Sequence, residues 1–116
     1  ISTKERLNKI NETGTKTGEY LVGLMGSLAD LEIVKQKFPN GTPVHDAFVT
    51  AYLVDSTLTT GEITNVEVEV DSQLTLGQTV VDINNISGRN KNVHWMNRVD
   101  GEKLFNIITN TSELLP

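Results

Sequence analysis

The chain has no cysteine among its 116 residues. That excludes a disulfide framework, a thiolate nucleophile and any Cys-ligated zinc or iron–sulfur site. It is compatible with a reducing cytoplasm, the compartment expected here. Nor is there a cluster of basic residues: ten Lys and Arg are scattered among fifteen Asp and Glu, for a formal net charge of −5. With no basic run to neutralise successive phosphates, neither nucleic acid nor an anionic membrane surface is an expected partner. The apolar stretches are only a few residues long, too short for a membrane span or a signal-peptide core. A glycine-rich phosphate loop, an HExxH helix and a Gly-x-Ser-x-Gly elbow are all missing.

What is present is a globular balance, 37% hydrophobic and 22% charged, at a length that suits one domain and is too short for two with ordinary cores. Four Asn-x-Ser/Thr triplets, at Asn11, Asn40, Asn85 and Asn110, read as chance in so Asn- and Thr-rich a chain. The chain opens at Ile1 directly before a helix-start pattern, which suits either a processed start or a piece of a longer polypeptide.

Ser2-Thr3-Lys4-Glu5 has capping-box form, a hydroxyl followed three positions later by an acid. It predicts a helix over about residues 3–10. Leu21, Leu24, Met25, Leu28, Leu31 and Val34 recur at steps of three and four, one stripe of an amphipathic helix expected over about 17–37. Gly23 and Gly26 weaken it locally or admit a close neighbour, and Pro39-Asn40-Gly41 stops it. A loop then feeds a short, largely buried helix over about 45–54.

Beyond the exit at Asp55-Ser56 and Thr59-Thr60-Gly61 the period changes. Val66, Val68 and Val70 alternate with Glu67 and Glu69, which predicts a strand over about 63–70 with one wet face. Further strands are expected over about 79–83 and 93–99, the last with Val93, Trp95, Asn97 and Val99 on one side. Asn84 to Asn92 is turn chemistry throughout. Asp100 caps a final helix over about 101–110, with Leu104, Phe105 and Ile108 facing inward. This order of elements indicates an α+β fold or the tail of a larger α/β sheet.

Only two histidines exist. His45 stands beside Asp46 at the start of the apolar third helix. An imidazole is suited to protonating a leaving group near neutral pH, and a carboxylate is a hard oxygen ligand for Ca²⁺ or Mg²⁺. The plainer alternative is a helix start, with Asp46 complementing the dipole and His45 an ordinary loop residue. The residues alone leave both open, because one carboxylate cannot supply the six to eight oxygens or so that calcium takes. His94, on a strand beside Trp95, reads as partly exposed packing. Glu67 and Glu69 read as the wet side of a sheet.

The run from Gly41 to Asp82 adds more. It contains Gly-Thr-Pro-Val-His45-Asp46-Ala, Ala51-Tyr52-Leu53-Val54-Asp55, Val66-Glu67-Val68-Glu69 and Leu74-Thr75-Leu76-Gly77-Gln78-Thr79-Val80-Val81-Asp82. In order and spacing these segments resemble the inosine–uridine-preferring nucleoside hydrolase family. The Asn92-Val93 strand and the Val99-Asp100 helix start are also similar to that family's ending. The resemblance implies an α/β fold, this chain being the carboxy-terminal part of a single open Rossmann-like domain. It implies hydrolysis of the N-glycosidic bond of ribonucleosides to ribose and free base, as in purine and pyrimidine salvage. It further implies a Ca²⁺ ion with Asp46 among its ligands, His45 as proton donor to the departing base, and assembly as a homo-oligomer.

Two departures qualify it. The family's amino-terminal Asp-rich motif, which supplies the remaining calcium carboxylates and the water-activating base, has no match, nor does the Asn/Glu segment that grips ribose. The chain's expected partners are therefore a ribonucleoside and the amino-terminal portion of the enzyme, and alone it is expected to be inactive. The helix before the His-Asp loop, Leu28 to Phe38, carries no tyrosine where many members place tyrosines near the base. A non-catalytic ligand- or partner-binding module on the same scaffold is the alternative. The fragment reading expects the Leu21–Val34 stripe and the region of Val80-Val81 to lie uncovered.

Overall fold

A computed structural model describes residues 1–116. The chain forms α1 (Lys4–Asn11), α2 (Lys16–Ala29), α3 (Glu32–Lys37), α4 (Asp46–Val54), a 3₁₀ turn at Ser56–Leu58, β1 (Thr59–Val68), β2 (Thr79–Asp82), β3 (Val93–Val99) and α5 (Gly101–Glu113). Its contacts divide it into two compact units, Ile1–Leu58 with Asp100–Pro116, and Thr59–Val99. No helix is long and apolar enough to cross a membrane.

In the helical unit, α1 is capped by Thr3, whose hydroxyl accepts from Arg6 N. The expected box began one residue earlier, at Ser2. Ser2 is instead buried and tied to Thr42, with Ser2 N donating to Thr42 O at 2.8 Å and Thr42 N donating to Ser2 Oγ at 3.3 Å. A hydroxyl wanted by a distant backbone is no longer free to cap its own helix. Gly41 makes this approach feasible: its φ is +146°, and a Cβ there would overlap the Ser2 carbonyl.

The single helix expected over 17–37 is two. α2 ends at Ala29, and Leu31 adopts an extended backbone before α3 begins at Glu32. Leu28, Leu31 and Val34 keep their spacing across the break. Periodicity reports which side is apolar and not whether the backbone is continuous. Gly23 and Gly26 meet no neighbour.

The core is small. Ala51 of α4, Leu58 of the 3₁₀ turn and Leu104 of α5 are buried together, with Phe48, Ile107 and Ile108 packed around them. Ile10 and Phe105 are buried as well, and the Arg6 guanidinium lies 4.7 Å from the Phe105 ring centroid. Thr15 caps α2 through Gly18 N and donates its own hydroxyl proton to Ser112 O at 2.9 Å, which ties α2 to α5.

The second unit is an open antiparallel sheet in the order β2-β1-β3. β1 begins at Thr59, earlier than the alternation indicated, because Thr59 to Gly61 pair with β3 instead of forming the exit. The register pairs Val66 with Val81 and Thr64 with Val93, so those valines share a face. On the expectation that Val93, Trp95, Asn97 and Val99 line one side, β3 departs. Asn97 is an extra residue between the Thr60–Arg98 and Gly61–Met96 pairs, and this bulge turns Val99 to the other face, opposite Thr59. Gly61 is required there, since a Cβ would run into the Trp95 backbone. Val68, Val80 and Leu31 are more than half exposed, and Leu24 and Leu28 of the α2–α3 stripe are nearly so.

Leu58 is 1% exposed at the centre of the helical cluster. Leu58→Ala is expected to cost about 2–5 kcal/mol by leaving a cavity. Chemical denaturation followed by helical circular dichroism measures this, and a loss below about 1 kcal/mol would mean that the cluster does not hold the unit together.

Candidate active-site loop

The loop Gly41–Val44 delivers His45 and Asp46 to the amino terminus of α4. Its entry is anchored by the Ser2–Thr42 bridge and by the Thr42 hydroxyl, which donates to Met25 O at 3.4 Å. Its exit is anchored by the buried side of α4, where Ala51 meets Leu58 and Leu104. The loop is thus held at both ends by buried contacts, and the dipeptide between them is exposed.

His45 is the cap residue of α4 by backbone position, yet its side chain makes no capping bond. Asp46 opens the first turn, where a carboxylate is favoured by the helix dipole. Both side chains are exposed, and no ion pair of the chain uses Asp46. Polar groups at a helix start that serve no structural bond remain free to meet a ligand. Asp46 is one hard oxygen donor of the kind calcium takes. However, no group of three or more His, Cys, Asp or Glu side chains gathers anywhere in the chain, so these residues do not make a calcium site by themselves.

Several other acids are occupied. Asp55, at the carboxy-terminal end of α4, receives Lys103 Nζ at 2.7 Å, Thr57 N at 2.9 Å and the Thr57 hydroxyl at 2.7 Å. The Lys103 contact first, and the Thr57 bonds next, lower its pKa to about 2. Lys103 Nζ also reaches Thr57 Oγ1. This junction was not legible in the sequence, since nothing local pairs Asp55 with a lysine on α5.

In the sheet unit, Asp82 accepts from Ser87 Oγ at 2.6 Å, Ser87 N at 2.9 Å and Ile86 N at 2.8 Å. The Ser87 bonds are the main reason its pKa is lowered. Glu69 accepts from Asp71 N at 2.7 Å and Ser72 N at 3.0 Å, with the same direction of shift. Glu67 pairs with Arg89. His94 lies exposed on β3 opposite Ile63, with no acid gathered around it. The structure therefore keeps His45 and Asp46 together as adjacent free groups and ties Asp55, Asp82, Glu67 and Glu69 into turns and pairs.

With that geometry in place, comparison with known proteins is informative. The family model described as inosine-uridine preferring nucleoside hydrolase matches residues 1–106. A probable ribonucleoside hydrolase of Dictyostelium discoideum is 31% identical over 108 residues, which are 91% of this chain and 32% of that protein. An inosine-uridine preferring nucleoside hydrolase of Crithidia fasciculata is 24% identical over 113 residues, 97% of this chain and 36% of its own. The chain spans about a third of the length of the curated relatives it matches. Among solved structures, the purine-preferring ribonucleoside hydrolase from Gardnerella vaginalis superposes with a TM-score of 0.72 at 22% identity. That match covers 97% of this chain and 36% of the other, so the α/β fold here is that of a partial region of such a protein.

Asp55 gives a prediction for pH. Its folded pKa of about 2 lies below the ordinary 3.8, so its stabilising contribution is complete above the ordinary value. That contribution is lost as the pH falls through the folded one. Asp55→Asn is expected to lower Tm at pH 7, and the gap to the unsubstituted chain should close as pH is taken from about 5 towards 2. Melting curves at several pH values check this, and a gap that stays constant to low pH would remove Asp55 from the acid response.

Proposed function

The chain belongs to the inosine-uridine preferring nucleoside hydrolase family, and from that premise we propose that it is the part of a ribonucleoside hydrolase that handles the departing base. The observation that carries this reading is the placement of His45 and Asp46. They are adjacent, exposed and unpaired at the start of α4, within the span matched by the family model.

The chemistry explains why such a pair is useful. Cleaving the N-glycosidic bond moves its electron pair onto the base nitrogen and leaves positive charge on the sugar, as in other glycosyl transfers. Water then bonds to the anomeric carbon and gives up a proton, while the base gains one. The products are ribose and the neutral base. A group that supplies the base's proton in the transition state lowers the barrier. An imidazole near neutral pH is suited to that role, and His45 is the residue here that would fill it.

Asp46 is proposed as one ligand of a Ca²⁺ ion whose other ligands lie outside this chain. Bound there, calcium would orient ribose hydroxyls and acidify a water. The activation of water is assigned to residues outside these 116, since the free acids needed for it are not gathered in this chain.

The test measures reducing sugar released from inosine and uridine with added calcium. The chain alone is expected to release none, and clear turnover would overturn the assignment of water activation elsewhere. Co-produced with the two thirds of the Dictyostelium relative that it does not match, the chain is expected to support release. In that pair His45→Ala should cut kcat by about 10²–10⁴-fold with a small change in KM. An unchanged kcat would remove His45 from the chemistry.

A further inference from the structure

Of the chain's eleven asparagines only Asn40 precedes a glycine. That step has a chemistry of its own. The main-chain nitrogen after an asparagine can attack the side-chain amide carbon and close a five-membered ring. A side chain on the following residue obstructs the approach, and glycine has none. At this position the glycine is imposed by the fold. Gly41 has a φ of +146°, and a Cβ there would overlap the Ser2 carbonyl. The Ser2–Thr42 bridge therefore requires the residue that makes Asn40 vulnerable.

The surroundings leave Asn40 free to react. The carboxamides of Asn65, Asn92 and Asn97 are held by hydrogen bonds. That of Asn40 is exposed in the turn at Pro39-Asn40 and enters none of the chain's side-chain hydrogen bonds. The Gly41 N–H donates to Phe38 O across the turn at 3.2 Å. Phe38, Pro39 and Asn40 are all exposed, so this bond can open without disturbing the core. An open hollow of about 760 Å³, bordered by Ser2, Glu5, Asp30, Asn40 and Gly41, brings water to the step.

We infer that Asn40 is a site of spontaneous deamidation, and that the isoaspartate formed there releases the His45-Asp46 loop from its anchor at Ser2. Gly41 N gives up its proton and bonds to Asn40 Cγ. The bond from Cγ to the amide nitrogen breaks, and ammonia leaves carrying that proton. Water then adds to one of the two ring carbonyls and opens the imide, with nothing oxidised or reduced. Opening at one carbonyl yields aspartate with the main chain unchanged. Opening at the other yields isoaspartate, whose main chain runs through the side chain and is longer by one carbon. That carbon enters immediately before Gly41, which already lies against Ser2 without room for a methyl group. The lengthened chain cannot keep both Ser2 N on Thr42 O and Thr42 N on Ser2 Oγ. Those bonds join two buried residues at the entry of the loop. Only the consequence for hydrolysis rests on the proposed function. The modification and the loosening of the loop do not.

The test ages the whole chain at mildly alkaline pH, folded and in urea, and maps its peptides by mass. In the folded chain the peptide holding residue 40 should gain one mass unit before any other asparagine changes. A protease that cuts before aspartate but not before isoaspartate tells the two products apart. Asn40→Gln, which would have to close a larger ring, should lose the mass gain. The isoaspartate form, separated chromatographically, should melt about 4–8 °C below the fresh chain, the shift that losing a buried hydrogen bond gives a domain of this size. Amide exchange at Thr42 should quicken with it. Asn40→Asp brings the charge without the extra carbon and should melt as the fresh chain does.

No mass gain at residue 40 in the folded chain, whether or not it occurs in urea, would overturn the site, because the turn would then shield it. An isoaspartate form with unchanged Tm and unchanged Thr42 exchange would overturn the release of the loop. An equal fall in Tm for Asn40→Asp would do the same, by making charge the cause.

Discussion

The helical unit depends on the contact of Ala51 with Leu58 and Leu104. Ala51 is small enough to let α4 lie close to the 3₁₀ turn and α5. That closeness sets where the amino terminus of α4 points. From Leu58 the chain leaves for the sheet, and on its return Asp100 N donates to Leu58 O at 2.9 Å, so one residue is both core and clasp. With few other fully buried apolar side chains, the unit has little reserve, and a loosening of this contact would pass to the His45-Asp46 loop. The other end of that loop hangs on the buried Ser2–Thr42 bridge.

Electrostatics separates the acids that hold turns from Asp46. A carboxylate that accepts several hydrogen bonds holds its charge more firmly and offers little to a ligand. Asp55, Asp82 and Glu69 are of this kind, each turned towards nearby backbone N–H groups or hydroxyls. Asp46 differs in having the helix amino terminus behind it and solvent in front. The same distinction separates the two histidines, one at a helix start beside a free acid and one on an exposed strand with no acid gathered around it.

Much of the fold was legible because each element's signal is local. Hydrophobic steps of three and four found the helices, alternation found β1, and a capping Asp found α5. Apart from the helix break at Leu31, the misreadings arose where a distant partner decided. Ser2 looked like a cap until Thr42 claimed it. Leu31 sat at the right spacing for one long helix but takes an extended backbone. Val99 was assigned to the side of Val93 by counting, and the bulge at Asn97 reversed it. The Asp55–Lys103 pair joins α4 to α5 and leaves no mark in either segment.

The candidate site divides in the same way. Sequence by itself determined that His45 and Asp46 are adjacent, that they precede an apolar helix, and which family the following segments match, because adjacency and periodicity are properties of a chain in one dimension. Only the tertiary structure decided that the pair is exposed and unpaired while Asp55, Asp82, Glu67 and Glu69 are consumed in turns and ion pairs. Exposure and pairing depend on what the rest of the chain places nearby, and that is settled by packing between residues far apart in sequence.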